Sequence, residues 1–433
     1  MKRKLYKQLL DWKMRGSIKP LMLIGARQVG KTWLIREFCK REFGDYLEIN
    51  LFNRPDIIDL FSEDIAVELK IARLSLYLGR SIDFESTVLF FDEIQESEDA
   101  VFLLKYFAES EVPYKIICAG SLLGVKINRF SKPFPVGQVE KLHLYPLDFE
   151  EFMIASGEEL LVEEIRACYD SDRHMPDPLH GICLERYRSY LCVGGMPAAV
   201  SDFVAKGKDV LRFDARILTD IRTDYLSDMT RHIRAPIEST RIEAIYTSLP
   251  SQLANQSGKF QYAKVRQGAK NREYYSALDW LVSSEMVFLC PQVTLPSKPL
   301  RGFEREGFFK VFLNDCGLLC NALGVLFPDI MLNRDLPFKG IIAENYVATQ
   351  LVASGHALFY WHSGNEAEVD FLREVPEGVV PLEVKSGDNK RSASLRSYVQ
   401  TYKPPYSIRL TARNFGYTNK IKSVPLYAAF CIA

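Results

Sequence analysis

The sequence predicts an α/β protein that opens with a parallel sheet carrying a phosphate-binding loop. Three stretches of the 433 residues support this prediction. An apolar run at 21–24 leads into a glycine-rich turn and then a helical pattern, which is the order that a P-loop requires. A second apolar run, at 88–91, ends in two carboxylates. A third, at 379–384, contains an acid and precedes a lysine.

The glycine-rich turn matches the pattern G-x-x-x-x-G-K-[ST] and predicts a nucleoside triphosphate site. Its residues are Gly25, Ala26, Arg27, Gln28, Val29, Gly30, Lys31 and Thr32. The glycines let backbone N–H groups and the helix N-terminus face a phosphate. In this pattern Lys31 reaches the β- and γ-phosphates and the Thr32 hydroxyl binds Mg²⁺. We therefore expect the chain to bind ATP and Mg²⁺.

The carboxylates that follow the second run are Asp92 and Glu93. A continuous apolar run suits a strand buried on both faces of a parallel sheet, so both acids would lie at its carboxyl edge, where such sheets bind ligands. We expect Asp92 to hold Mg²⁺ through water and Glu93 to polarise the attacking water. A helix cap is the structural alternative, and the P-loop upstream disfavours it.

The remaining strands of this unit are predicted at 45–52, 115–121 and 140–147. The strand at 115–121 ends in Ser121. In ATPases with an extra strand between the two motifs, this position senses the γ-phosphate. A cap for the next helix is an equally good interpretation of Ser121.

These motifs, together with the segments 91–95, 119–124 and 144–152, resemble a widespread prokaryotic AAA+ family. Its members join such a core to a C-terminal domain of unknown function. The resemblance implies a five-stranded AAA+ sheet in a domain of residues 1–155, with Ser121 at the sensor-1 position. AAA+ cores often form rings, so a homo-oligomer is one possible state, and the sequence does not decide the oligomeric state. Some relatives carry Gly-Arg before the last strand, where this chain has Gly137-Gln138.

Composition narrows the class of protein. Basic and acidic residues balance at 55 each, so any surface for nucleic acid must be local. The sequence has no apolar run long enough to cross a bilayer, and its basic start leads into an amphipathic pattern rather than a signal peptide. The nine cysteines are scattered through apolar runs without a zinc-binding pattern. We expect a cytoplasmic protein with buried free thiols and no contact with a membrane.

The middle region, 156–335, is predicted to be helical and to end in a winged helix. The acidic and prolyl stretch at 153–180 is interpreted as a linker. A helix-turn-helix pattern ends in a helix at 274–286, with wing strands at 287–289 and 309–313. Residues 259–272 contain five basic side chains and no acid. This segment predicts either contact with the DNA backbone or a protein-interaction module or lid.

The last region, 336–433, contains a helix with Glu344 and a hairpin centred between Pro376 and Glu377. That centre places Asp370 opposite Glu383. Lys385 shares the face of Glu383 by the two-residue period of a strand, so Asp370, Glu383 and Lys385 converge. Glu344 is available from the helix. The segment 425–430 is predicted to be a closing strand.

This arrangement resembles the PD-(D/E)xK, restriction-endonuclease-like fold. The resemblance implies that the carboxylates hold Mg²⁺ and that the lysine orients or deprotonates water for phosphodiester cleavage. A salt-bridged hairpin on the surface is the alternative. Two functions stay open for the whole chain: an ATPase coupled to a DNA-directed, nucleolytic domain, or a nucleotide-switched interaction protein with a silent nuclease fold. A motor that acts on polypeptides is a third.

Overall fold

The structure is a computed structural model of the 433-residue chain. It describes all residues except 63–64, 122, 128–129, 232–235, 255–258, 335, 337, 364–366, 387–392 and 433. The chain forms two compact units. The first contains Met1–Tyr145 and Ser283–Glu285, and the second contains Pro146–Val282 and Met286–Ala433. The boundaries predicted at 155 and 335 stay predictions.

The first unit is built on a sheet of five parallel strands. They are β1 (Leu21–Ile24), β2 (Asp45–Asn50), β3 (Thr87–Asp92), β4 (Lys115–Gly120) and β5 (Glu140–His143). Their order is β2-β3-β4-β1-β5, so β4 lies between β1 and β3. Every residue of β1 and β3 is buried, which explains why both are apolar without alternation. The predicted five-stranded parallel sheet is confirmed.

Six helices accompany this sheet. They are α1 (Leu5–Met14), α2 (Lys31–Glu42), α3 (Pro55–Ser62), α4 (Val67–Leu78), α5 (Glu98–Glu109) and α6 (Leu123–Ile127). Helices α3, α4 and α5 bury apolar side chains together with those of β2, β3 and β4 in one core. The start of α5 is capped by Ser97, whose hydroxyl accepts the Ala100 N–H at 3.0 Å. This core holds the sheet edge on which the P-loop lies.

The second unit contains the remaining helices, except that Ser283, the last residue of one of them, belongs to the first unit. They are α7 (Phe149–Ala155), α8 (Glu159–Asp170), α9 (Asp177–Val193), α10 (Pro197–Ala205), α11 (Arg216–Arg231), α12 (Pro236–Leu253), α13 (Tyr262–Val265), α14 (Asn271–Ser283), α15 (Cys316–Leu323), α16 (Phe327–Met331), α17 (Lys339–Ala353) and α18 (Ala393–Tyr402).

Two sheets complete the second unit. The first contains β6 (Val287–Val293), β7 (Glu304–Leu313), β8 (Tyr360–His362) and β9 (Glu368–Val369), in the order β7-β6-β8-β9. The second contains β10 (Phe371–Val375), β11 (Gly378–Val384), β12 (Ser407–Thr411), β13 (Gly416–Thr418) and β14 (Ile421–Pro425), in the order β10-β11-β12-β14-β13. Both sheets mix parallel and antiparallel pairs. The predicted wing strands thus share a sheet with strands of the C-terminal region.

The linker predicted at 153–180 is wrong, because the end of α7, all of α8 and the start of α9 occupy most of it. Val162, Ile165 and Cys168 are buried on one face of α8, at helical spacing. Most of the acids that suggested a linker are therefore the solvated side of an amphipathic helix.

Two further boundaries differ from the prediction. The helix expected at 274–286 is α14, which begins and ends three residues earlier; the left-handed conformation of Glu285 (φ 57°) follows its end. The closing strand expected at 425–430 is instead a 3₁₀ helix at Leu426–Cys431, and the last strand is β14. All six residues of this 3₁₀ helix are buried, and an apolar run without periodicity does not distinguish a strand from a buried helix.

A buried carboxylate caps α15 and joins it to a glycine turn. Asp315 accepts the Leu318 N–H at 2.8 Å and the Gly195 N–H at 2.6 Å. A Cβ on Gly194, where φ is +74°, would lie 2.2 Å from the Asp315 carboxylate, and a Cβ on Gly195 would lie 1.9 Å from the Leu147 carbonyl oxygen. Both positions therefore require glycine.

The burial of Asp315 predicts a pH dependence of stability. Burial raises its pKa from 3.8 to about 6. Because the folded chain binds this proton more tightly, the stabilisation is complete below pH 4 and is lost as the pH rises through about 6. Asp315→Asn does not titrate, so the wild type should lose about 2–3 kcal/mol relative to this variant between pH 4 and pH 7. Urea unfolding of both proteins at several pH values measures this; a constant difference would contradict it.

Candidate functional sites

The P-loop joins β1 to α2 and is curled by two left-handed residues. Gln28 has φ 66° and Gly30 has φ 95°. Only glycine fits at position 25, since a Cβ there would lie 2.3 Å from the Leu144 carbonyl oxygen. The loop therefore packs directly on the backbone that follows β5, at the carboxyl edge of the sheet.

The Lys31 side chain lies inside this loop and is 7% exposed. Its ammonium group donates to the carbonyl oxygens of Gly25 and Ala26, each at 2.8 Å. Burial lowers its pKa to about 8, although the carboxylates of Glu93 and Asp92 favour the charged form. The loop thus holds a buried cation that anionic groups would stabilise.

Thr32 and Asp92 come together at the end of β3. The Thr32 hydroxyl donates to the Asp92 carboxylate at 3.1 Å, and the Asn50 amide donates to the same oxygen at 3.3 Å. Burial, and then the neighbouring charge of Glu93, raise the pKa of Asp92. Hydroxyl and carboxylate oxygens are ligands that Mg²⁺ prefers, and a cation would relieve the crowding of the two acids. The residues present therefore fit Mg²⁺.

Asn50, which sequence reasoning missed, ends β2 directly opposite Asp92 in the strand register. Its polar side chain at a strand end beside the acids is the signal that identifies it once the strand order is known. The hydrogen bond from its side-chain amide fixes the position of one carboxylate oxygen of Asp92.

Glu93 is held in a left-handed conformation (φ 50°) immediately after β3. Its backbone N–H donates to Asp92 at 3.1 Å, and its carboxylate accepts a hydrogen bond from the Gln95 amide. Gln95 is buried, and a Cβ on Gly120 would lie 2.0 Å from its side-chain oxygen. Gln95 therefore packs on the end of β4 and orients Glu93, a role that the sequence alone did not reveal.

Ser121 follows β4 at the same edge of the sheet and is half-buried. The P-loop, the acids Asp92 and Glu93, and Ser121 thus lie at the ends of three neighbouring strands, β1, β3 and β4. The two roles predicted for Ser121, sensing the γ-phosphate and capping a helix, both stay predictions.

Arg3 braces the P-loop from outside, although its basic N-terminal segment gave no sign of this. The buried guanidinium donates to the Val29 carbonyl oxygen at 2.9 Å and to the Tyr145 carbonyl oxygen at 2.5 Å. It therefore ties the middle of the loop to the chain after β5.

A second group of charged side chains lies in the second unit, around the hairpin of β10 and β11. The pairing of Phe371 with Leu382 and of Val375 with Gly378 agrees with the predicted hairpin, and it places Asp370 level with Glu383. Asp370 accepts the Val384 N–H at 2.7 Å. Burial, and then the charge of Glu344, raise its pKa to about 7, against the opposing effect of two lysines.

Glu383 and Lys385 form a close ion pair in this group. The Lys385 ammonium lies 2.9 Å from one oxygen of Glu383. The other oxygen of Glu383 is buried and has no hydrogen-bond partner among the described residues. Burial opposes the charge on Lys385, but Asp370 and Glu383 outweigh it and raise the pKa of the lysine. The predicted ion pair on the hairpin is therefore present, with Glu383 buried and Lys385 partly exposed.

Two residues that sequence reasoning missed complete this group. The Lys310 ammonium, on β7, lies 2.7 Å from Glu368 and 3.4 Å from Glu344. Lys310 is 2% exposed and its ammonium lies 5.3 Å from the centre of the Tyr360 ring. A lysine inside an apolar strand run was the available signal. The group therefore contains two lysines as well as four acids.

This second group fits a divalent cation only in part. Among the described residues, no set of three or more metal-ligating side chains is placed to hold a metal ion. One oxygen of Glu383 has no partner among the residues that the structure describes, and Asp370, level with Glu383 in the hairpin, is a second carboxylate. Mg²⁺ commonly binds through one or two carboxylates together with substrate phosphates. We therefore restrict the fit to Asp370 and Glu383.

The basic segment 259–272 contains α13 and the start of α14. Four of its cations are exposed: Lys264, Arg266, Lys270 and Arg272. Contact with DNA through this segment stays a prediction. Within the described residues, no helix has both the length and the apolar character needed to span a bilayer. All nine cysteines are free and buried, as expected.

Comparison with known families divides the chain into three matched stretches. The first, 17–153, matches the family described as AAA domain. Residues 17–153 form an AAA domain. Two domains of unknown function follow it, matched at 184–329 and at 339–429 by two different families. No curated protein matches the sequence.

Solved structures similar to this chain include two from the ORC group. The Aeropyrum pernix ORC2 protein (ADPNP–ADP complexes) is 15% identical, with 76% of this chain and 92% of that chain covered and a TM-score of 0.35. Drosophila ORC bound to DNA is 13% identical, with 70% and 89% covered and a TM-score of 0.30. The AAA domain itself carries the P-loop, Asp92, Glu93 and Ser121 described above.

Proposed function

We propose that the AAA domain binds ATP and hydrolyses it in a reaction that depends on Mg²⁺. The observation that carries this proposal is the 3.1 Å contact between the Thr32 hydroxyl and the buried Asp92 carboxylate, beside Lys31 inside the loop. These three side chains supply a lysine for the phosphates and oxygen ligands for their cation.

The chemistry follows from what each side chain can do. Lys31 exchanges the carbonyl oxygens of Gly25 and Ala26 for phosphate oxygens, which favours its charged form. Bound Mg²⁺ neutralises charge on the phosphates. Glu93, oriented by Gln95, accepts a proton from the water that attacks the γ-phosphate. Ser121, which follows β4 at the same edge of the sheet, donates a hydrogen bond to the γ-phosphate.

Phosphate release from ATP tests this proposal directly. The wild-type chain should release phosphate in the presence of Mg²⁺ and stop when EDTA removes it. Asp92→Asn, which keeps the size of the side chain but removes its charge, should lower the rate by about tenfold or more. Release that is unaffected by EDTA and by Asp92→Asn would reject the proposal.

For the second unit, we propose an action on DNA in which the hairpin site cleaves a phosphodiester with a divalent cation. One buried oxygen of Glu383 has no hydrogen-bond partner in the part of the chain that the structure describes, and this supports the proposal, because such an oxygen is costly unless a ligand satisfies it. Asp370 and Glu383 would hold the cation, and Lys385 would orient or deprotonate the attacking water. The exposed cations of 259–272 would contact the DNA backbone.

Supercoiled, branched and single-stranded DNA with Mg²⁺ are the substrates for the test. Cleavage should fall by about 100-fold or more in Asp370→Asn and in Lys385→Ala. The matched control is Lys422→Ala, which removes a different lysine that forms an ion pair with Asp172. Absence of both cleavage and DNA binding would favour a nucleotide-switched interaction protein. Stimulation of the ATPase by unfolded polypeptide but not by DNA would favour a motor that acts on proteins.

A further inference from the structure

The hairpin site contains a cation of its own in Lys310. This side chain comes from β7 rather than from the hairpin, and its ammonium is almost completely removed from solvent. It lies 2.7 Å from Glu368 and 3.4 Å from Glu344. A buried lysine is stable in its charged form only when acids compensate its lost hydration, and these two acids do so.

The pairing divides the acids of the site into two sets. Glu344 and Glu368 form ion pairs with Lys310, whereas Glu383 forms one with Lys385. Asp370 lies level with Glu383 in the hairpin and is acted on by the charges of both lysines.

A divalent cation bound by either Glu344 or Glu368 would lie beside the Lys310 ammonium, whose buried and poorly screened charge would repel it. Lys385 is different, because it is 37% exposed and can move its charge into solvent. Displacement of Lys310 from these acids would leave a buried charge uncompensated, which is strongly unfavourable.

We propose that Lys310 fills the cation position between Glu344 and Glu368, so that neither acid binds a metal and the site takes at most one divalent ion, on Asp370 and Glu383. This rests on the proposal that the hairpin site binds a divalent cation. The resemblance to the nuclease fold implied that Glu344 holds a metal; in this proposal Glu344 instead pairs with Lys310. Lys310 is a positioning residue, because its burial keeps it from contact with a substrate.

Mn²⁺ binding to the nucleotide-free, full-length chain tests the assignment, with stoichiometry and dissociation constant read by titration calorimetry and by electron paramagnetic resonance. An Asp92→Asn background removes the metal site of the AAA domain. We expect no more than one Mn²⁺ in this background, and its loss in Asp370→Asn. Lys310→Met should gain one further Mn²⁺, and that ion should disappear in Lys310→Met with Glu344→Gln. The matched control is Lys422→Met, which should gain none.

A folded Lys310→Met protein that gains no Mn²⁺, or a background protein that binds two, would overturn the assignment. If Lys310→Met does not fold, the decision passes to Glu344→Gln and Glu368→Gln. A Mn²⁺ affinity unchanged within about threefold supports the assignment, and one weakened by about tenfold or more overturns it. If the Asp92→Asn protein binds no Mn²⁺, the proposal that the hairpin site cleaves DNA with a divalent cation is rejected. The assignment of Glu344 and Glu368 as partners of Lys310 is supported by the same result, because neither acid then binds a metal.

Discussion

Replacing Lys31 with alanine is expected to weaken ATP binding by about 100-fold or more. The ammonium is the buried cation of the P-loop, and in the proposed complex it contacts two phosphate groups. A charge-assisted hydrogen bond contributes about 1.5–3 kcal/mol, so loss of two such bonds corresponds to a factor of about 100 to 10,000. Equilibrium titration with a fluorescent ATP analogue in the presence of Mg²⁺ measures the change.

Lys40→Ala is the matched control, because Lys40 is an exposed lysine on the same helix, α2. It should bind the analogue with wild-type affinity. Thermal unfolding of both variants verifies that the loop change does not unfold the domain. A Lys31→Ala protein that is folded and binds ATP with wild-type affinity would show that the loop does not grip phosphate.

The second large effect is expected from Glu93→Gln, which should keep ATP affinity within about threefold and lower turnover by about 100- to 10,000-fold. Glutamine has nearly the same shape and still accepts the hydrogen bond from Gln95, but it cannot take a proton from water. The substitution therefore separates ATP binding from ATP hydrolysis, because it removes only the proton acceptor.

Glu109→Gln is the matched control for this variant. Glu109 is an exposed acid at the end of α5, so its replacement should leave turnover unchanged. The measurement is single-turnover hydrolysis of radiolabelled ATP, with affinity determined on the same samples. Equal losses of affinity and turnover in Glu93→Gln would indicate a distorted loop rather than a missing base, and unchanged turnover would remove Glu93 from the mechanism.

The parts of the nucleotide site that the sequence predicted are those encoded locally. Lys31 and Thr32 belong to one contiguous motif, and Asp92 and Glu93 end a run that is apolar because both faces of β3 are buried. Residues that reach the site from elsewhere were not predictable. Asn50 and Arg3 have ordinary sequence surroundings, and their roles depend on strand order and on tertiary contacts. Gln95 lies in a recognisable segment, but its role depends on its packing against the end of β4.

The hairpin site shows the same division. The turn after Val375 sets the register, so the level positions of Asp370 and Glu383 could be predicted by counting from it. Lys310 lies 60 residues before Asp370 and was assigned to a wing strand, because the parallel pairing of β6 with β8 cannot be read from either strand alone. Local pattern predicted the acids, and only the sheet order revealed the lysine that binds two of them.

The helical middle was predicted in outline and misread in detail for a physical reason. The acids of 159–170 suggested a linker, but Val162, Ile165 and Cys168 provide the buried face of α8. The apolar end of the chain suggested a strand, whereas Leu426–Cys431 is buried as a 3₁₀ helix. In both segments tertiary burial decided the structure that composition left open.

We propose that residues 25–32, with Asp92 and Glu93, form a working ATP site. Phosphate release and ATP affinity, measured together for wild type and Glu93→Gln with and without Mg²⁺, provide the decisive test. We expect Mg²⁺-dependent release by the wild type and tight binding without release by the variant. A folded wild-type protein that neither binds nor hydrolyses ATP in the presence of Mg²⁺ would contradict it.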